Sequence, residues 1–283
     1  TTYGNGMNGV VVHKTDYANV YNNTVHKNGE VPSSADSDWV SANNHTYENS
    51  EGASSAWKTP LGSGRQNYTG IVVHSSSYVN VYNNISVAKN SNDQAYVNYV
   101  ESGWSVSNVN FGSGKNIAGN GTTVAGGNQS LNASDFTQSN PQFVDDTNST
   151  LSNRDYTLLN NSPAIDSADS TYAVENDING ISRPQGNGDD MGAYESLNTW
   201  TGSANTSWTN TNNWSAGIVP VSGRSPVISN TANDPIISST VTLKDITVES
   251  SASLTIDSSG VLNINGTLTN SGDITVQGTL NVE

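Results

Sequence analysis

His13, Lys14 and Asp16 stand close together directly behind a run of three valines. An amine or imidazole beside a carboxylate is a minimal set for moving a proton, because one group takes it and the other steadies the charge. A second histidine, His74, closes a similar apolar run, although Lys14 and Asp16 give way there to Ser75 and Ser77. A polar turn in which the histidine caps backbone groups fits the same residues. His26 and Lys27 form a further basic pair. Arg65, Lys89 and Arg183 could meet an anion, and Trp39, Trp57 and Trp104 could stack on a flat ligand, although buried aromatics account for the tryptophans equally well. Carboxylates gather at Asp36 with Asp38, and at Asp177 with Asn179, Asp189 and Asp190. Oxygen donors of this kind suit Ca²⁺, but the ordered spacing and closing glutamate of an EF-hand are missing. No nucleophile elbow, zinc-binding H-E-x-x-H or phosphate loop is present.

The elements that must position these groups repeat. Asn8-Gly9-Val10-Val11-Val12-His13 through Val20-Tyr21-Asn22-Asn23 returns as Thr69-Gly70-Ile71-Val72-Val73-His74 through Val81-Tyr82-Asn83-Asn84. Each copy reads as glycine, a short apolar strand, a polar turn, an alternating strand and an Asn-Asn pair. Such self-similarity marks a stacked architecture. At roughly twenty-odd residues per coil, the spacing between copies predicts about three coils, or two with a long loop. Residues 29–67 are then expected to project as loops, where binding commonly sits. Asn22-Asn23 and Asn83-Asn84 suit a structural role, with asparagine tolerating a left-handed turn and bonding between neighbouring coils.

Hydrophobic residues make up 33% and charged residues 12% of the chain, and the polar mass is Asn, Ser, Thr and Gly. This texture predicts an all-β chain of many short strands and tight turns. A net charge of −15, from 10 basic and 25 acidic side chains, argues against a partner that presents phosphates. The same surplus favours solubility. The absence of cysteine excludes disulfides, thiolate metal sites and a cysteine nucleophile. No apolar run approaches the roughly 18 residues of a membrane span. The chain opens directly on a repeat and stops on Val282-Glu283 in mid-pattern, so further sequence is expected on both sides.

After Glu195 the texture changes. Trp200, Trp208 and Trp214 lead into strict alternation at Leu254/Ile256, Leu262/Ile264, Ile274/Val276 and Leu280/Val282. Asn265-Gly266-Thr267-Leu268 returns as Gln277-Gly278-Thr279-Leu280. Period-2 spacing with such turns predicts a small β-roll or solenoid. The expected division is residues 1–196 and residues 197–283.

Four segments carry a resemblance: Pro141-Gln142-Phe143-Val144-Asp145, Asp155-Tyr156-Thr157-Leu158, Ser162-Pro163-Ala164-Ile165-Asp166 and Asp190-Met191-Gly192-Ala193-Tyr194-Glu195. Together they resemble the C-terminal end of pectate-lyase-like right-handed parallel β-helix proteins. The two long copies are similar to mid-helix coils of that group. The tail resembles a module of multidomain proteins exported by the type IX secretion route. The resemblance implies a secreted or cell-surface protein that binds or cleaves an extracellular, acidic polysaccharide, with no nucleic acid as partner. An enzyme of this group cleaves uronate polymers by β-elimination, which needs a cation on the uronate carboxylate and a base for the adjacent proton. His13, Lys14 and Asp16 are then the catalytic candidates, and Arg65, His74 and Trp57 the substrate-binding ones. Asp177, Asp189 and Asp190 are the calcium candidates, calcium being the one cofactor implied. Arg183 falls in the closing segment and suits a packing or ion-pair role. A non-catalytic adhesin or stalk is the alternative.

Overall fold

In a computed structural model the chain is all-β, with short strands in mainly parallel sheets and no α-helix among the described residues. The described residues are 2–3, 8–27, 69–88, 94–100, 102–120, 122–126, 131–148 and 150–283. None of their helices is long and apolar enough to cross a membrane. Two compact units divide the chain, one of Thr1–Ala173 with Met191–Ala193, the other of Val174–Asp190 with Tyr194–Glu283.

In the first unit, sheet I holds Asn8–His13, Thr69–His74, Gln94–Tyr99 and Thr122–Gly126. Sheet II holds Asp16–Tyr21, Ser77–Tyr82 and Val109–Phe111. Sheet III holds Thr2–Tyr3, Thr24–His26, Asn84–Val87, Asn116–Gly119 and Thr137–Gln138. The chain passes through I, II and III and then returns to I, so equivalent strands lie side by side in parallel.

This pairing corrects the expected coil count. Val10 lies beside Ile71 and Ile71 beside Tyr96. The offset of 61 between Asn23 and Asn84 therefore separates direct neighbours, as does the offset of 32 between Asn84 and Asn116. Register follows from matched strand ends, and the length of chain between them does not enter. The loops expected over residues 29–67 lie outside the described residues.

In Ser77–Tyr82 the alternate residues Val79 and Val81 point inward. Ile71, Val73, Val79, Val81, Ala95 and Tyr96 are fully buried in one apolar cluster. Each large aliphatic side chain removed from water contributes about 1.5–3 kcal/mol. Gly70 is required in this layer, because a Cβ there would lie 1.8 Å from Ser86 Oγ and 2.4 Å from the Ala95 carbonyl. Where sheet II turns into sheet III, Asn23 Nδ2 donates to Asn84 Oδ1 (3.0 Å) and Asn84 Nδ2 donates to Asn116 Oδ1 (3.1 Å). Asn22 and Asn83 hold the left-handed turn, with φ of 50° and 58°. The paired asparagines thus divide two tasks, one bending the chain and one bonding along the stack.

In the second unit Thr199–Trp200, Val227–Ile228, Ile246–Val248 and Leu268–Asn270 form one parallel sheet. Ile236–Ile237, Ser253–Ile256 and Asp273–Val276 form another, and Thr240–Leu243, Val261–Ile264 and Thr279–Val282 a third. Leu254, Ile256, Leu262 and Ile264 are fully buried, and Trp200, Trp208 and Trp214 join them in one core. The likeness of 265–268 to 277–280 is not a stacking repeat. Leu268 pairs with Ile246, whereas Leu280 pairs with Leu262 in a different sheet. Steps between stacked neighbours are longer, such as 21 from Thr242 to Asn263 and 18 from Asn263 to Asn281.

Candidate functional site

The strongest concentration of ligand-ready side chains lies at the turn between sheets I and II. The chain bends there through left-handed backbone at Lys14 and Ser75 (φ 46° and 48°), and again at Tyr17, Tyr78 and Asn108 (φ 64°, 56° and 56°). This region is costly for residues with a Cβ. Bonds between neighbouring repeats hold it: the Lys14 N–H donates to the His74 carbonyl (2.9 Å), Ser75 to Tyr99 (2.8 Å) and Tyr78 to Ser107 (2.9 Å). The register pairs Asp16 with Ser77 and Ala18 with Val79, so Tyr17 and Tyr78 are skipped at the same place and turned outward.

Two ring ladders result. His13 stacks on His74 with centroids 4.7 Å apart, and His74 on Tyr99 at 5.0 Å. Tyr17 stacks on Tyr78 at 4.7 Å with only 9° between the ring planes. The Lys14 ammonium lies 4.9 Å from the centre of the Trp104 ring, a contact worth about 0.5–1 kcal/mol at an exposed site. His13, Lys14 and His74 of the expected set thus come together, with Trp104 beside Lys14, and Asp16 is exposed at the start of the next strand. Arg65, Trp57, Lys89, Trp39, Asp36 and Asp38 lie outside the described residues.

Next to the tyrosine ladder runs a groove of about 370 Å³, lined by Tyr17, Tyr78 and Asn108 together with Asn19 and Asn80. Asn19 and Asn80 are register partners, and Asn80 Nδ2 donates to Asn19 Oδ1 at 3.1 Å. Tyr17 is 78% and Tyr78 43% exposed. Neither tyrosine stands out by residue type. Their signal in the sequence is positional: both copies carry tyrosine in the segment expected to be a polar turn.

His26 sits elsewhere, in sheet III, with its side chain fully buried against Phe143 and Tyr156. Its Nε2 meets Asp146 Oδ2 at 3.0 Å, and the Lys27 ammonium donates to the same oxygen at 3.3 Å. Burial lowers the imidazole to about 4 against the pull of Asp146, so it is neutral at pH 7 and donates to the carboxylate. Burial alone would raise the Asp146 carboxyl, but the His26 bond and the Lys27 charge outweigh it and hold it below its usual range.

The calcium candidates belong to the second unit. Asp177 Oδ1 accepts the N–H groups of Asn179 and Ile181, both at 2.8 Å, and its Oδ2 accepts that of Glu195 at 3.1 Å. Asp190 Oδ2 accepts the Ser196 N–H at 2.7 Å. These two carboxylates fasten turns. Arg183 Nη1 donates to Glu195 Oε2 at 2.8 Å inside the unit, as an ion pair with both side chains buried. Burial raises the Glu195 carboxyl, with the nearby Asp190 charge adding to the rise. Among the described residues no three His, Cys, Asp or Glu side chains are grouped to hold a metal ion.

Comparison with protein families finds a match over residues 199–282 to a domain of unknown function (DUF8693). No curated protein and no solved structure matches the chain.

Proposed function

We propose that this protein is a secreted or cell-surface right-handed parallel β-helix, pectate-lyase-like in build, that binds an extracellular polysaccharide. The observation that carries the reading is the exposed Tyr17–Tyr78 stack beside the amides of Asn19, Asn80 and Asn108. Tyrosine rings offer an apolar face to the C–H face of a sugar, and amides carry both donors and acceptors for its hydroxyls. The repeated order of sheets I, II and III supports the helical reading. The resemblance of the tail to a module of type IX-exported proteins makes export by that route part of the proposal.

Binding is the reading this groove supports most directly, because its described lining is made of tyrosine rings and asparagine amides. The position of Lys14 between His13 and Asp16 favours a second reading, a polysaccharide lyase acting on an acidic chain. There Lys14, as the neutral amine, would take the proton next to the uronate carboxylate, the bond to the leaving sugar oxygen would break as a carbon–carbon double bond forms, and water would return a proton to that oxygen. Ca²⁺ is the cofactor such a reaction would use.

Affinity electrophoresis through gels containing neutral or acidic polysaccharides, with ultraviolet absorbance followed in parallel with Ca²⁺ or chelator, separates the two. Retardation that weakens in Tyr17→Ala, with flat absorbance, is the expected result. Absorbance that rises with wild type and fails with Lys14→Ala would replace binding by the lyase reading. Absence of retardation and of absorbance change across the panel would overturn both.

A further inference from the structure

Tyr17, Tyr78 and Asn108 occupy one ladder position in three successive repeats, with nearly the same left-handed backbone. A third tyrosine would extend the ring stack, whereas the shorter asparagine ends it and leaves room beside Tyr78. The groove's 370 Å³ falls at the lower end of the roughly 300–1,000 Å³ of small-ligand clefts. Fold stability does not account for the Tyr17 ring, which sits in a disfavoured backbone region with 78% of its surface in water.

We infer that this groove takes an uncharged glycan segment, seated on Tyr78 above Asn108 and lying along the Asn19–Asn80 amide ladder. The inference rests on the reading of the protein as a polysaccharide binder and names the class of chain it holds. Among the described residues, every lining side chain is a tyrosine or an asparagine. The neighbouring charges do not favour a polyanion: Asp16, beside Tyr17, is negative, and the Lys14 ammonium lies over Trp104. A net charge of −15 adds a repulsive field. Sugar hydroxyls need partners that donate and accept, and an amide supplies both where a carboxylate or ammonium supplies one.

Isothermal titration of the whole chain tests this, with neutral β-linked gluco- and manno-oligosaccharides and with oligogalacturonate, each at low and high salt. Asn108→Tyr fills the groove with a residue that the same backbone already accepts at Tyr17 and Tyr78, and Tyr78→Ala removes the ring. The expected result is binding of a neutral oligosaccharide that is insensitive to salt and about tenfold weaker in either variant, with the thermal unfolding midpoint unchanged. Binding of oligogalacturonate alone, fading with salt, would overturn the inference and leave the proposed function standing. Binding of neutral sugar unaltered in both variants would overturn the assignment to this groove. If no sugar in either class binds, the polysaccharide reading falls with it.

Discussion

The first unit places a stacked tyrosine pair in water and buries amides, while the second buries its tryptophans. Tyr17 and Tyr78 stand outside the turn between sheets I and II, and Asn84 and Asn116 are fully enclosed. In the second unit Trp200, Trp208 and Trp214 are all buried, with Trp214 edge-on to both others at 5.1 and 4.7 Å. Both stack parallel strands, yet an aromatic ring removes the most apolar surface from water where it is enclosed. Outside, the same ring is available to a ligand. The amide ladder lets the first unit hold its repeats in step without placing those rings in its core.

The contrast breaks most sharply at Trp200, whose indole N–H also donates to the Asn233 carbonyl at 2.7 Å. Trp200→Ala is expected to cost about 3–5 kcal/mol in chemical denaturation; a cost under about 1 kcal/mol would show that the tryptophan cluster is not the core of its unit. Asn84→Ala comes next. Its Nδ2 donates to the Val20 and Tyr82 carbonyls, both at 2.8 Å, and to Asn116 Oδ1, and its loss removes all three of these buried bonds. About 2–4 kcal/mol is expected, and a neutral result would remove the amide ladder from the account.

His26 supplies a pH signature confined to the first unit. Its folded value of about 4 lies below the ordinary 6.5, so the unfolded chain takes up the proton first as pH falls. The stability is fully present above pH 6.5 and is lost as pH drops from there through about 4, approaching 3 kcal/mol. Denaturant midpoints between pH 7 and pH 4 should fall for wild type and flatten for His26→Asn; parallel slopes would show that His26 is not the source. The smallest effect belongs to Tyr17→Ala, expected within about 0.5 kcal/mol of wild type, as for an exposed position. A loss above about 1.5 kcal/mol would mean that the outer tyrosines serve stability after all.

Much of this arrangement was legible in the sequence. The copies around Val10 and Ile71 announced strands that stack, and they are hydrogen-bonded neighbours. Alternation at Leu254/Ile256 and Leu262/Ile264 marked inward positions that are fully buried. The number of coils between copies was not legible, because chain length carries no information about which strands pair. The likeness of 265–268 to 277–280 reflects similar turns that serve different sheets. At the candidate site, His13 and His74 close equivalent apolar runs in the two copies, and their rings stack. The Tyr17–Tyr78 pair was visible as a repeated letter, but its outward turn depends on a left-handed backbone that residue type alone does not signal. Asp146 was out of reach, because 120 residues separate it from His26.

The unequal steps between neighbouring repeats also bear on how such a chain changes over generations. Asn23, Asn84 and Asn116 are bonded alike although 61 residues separate one pair and 32 the other. The ladder therefore works as a fixed ruler across a chain of variable length. Insertions of tens of residues at one turn leave the spacing of every other surface position untouched, so new recognition segments can be tried without refolding the frame that displays them.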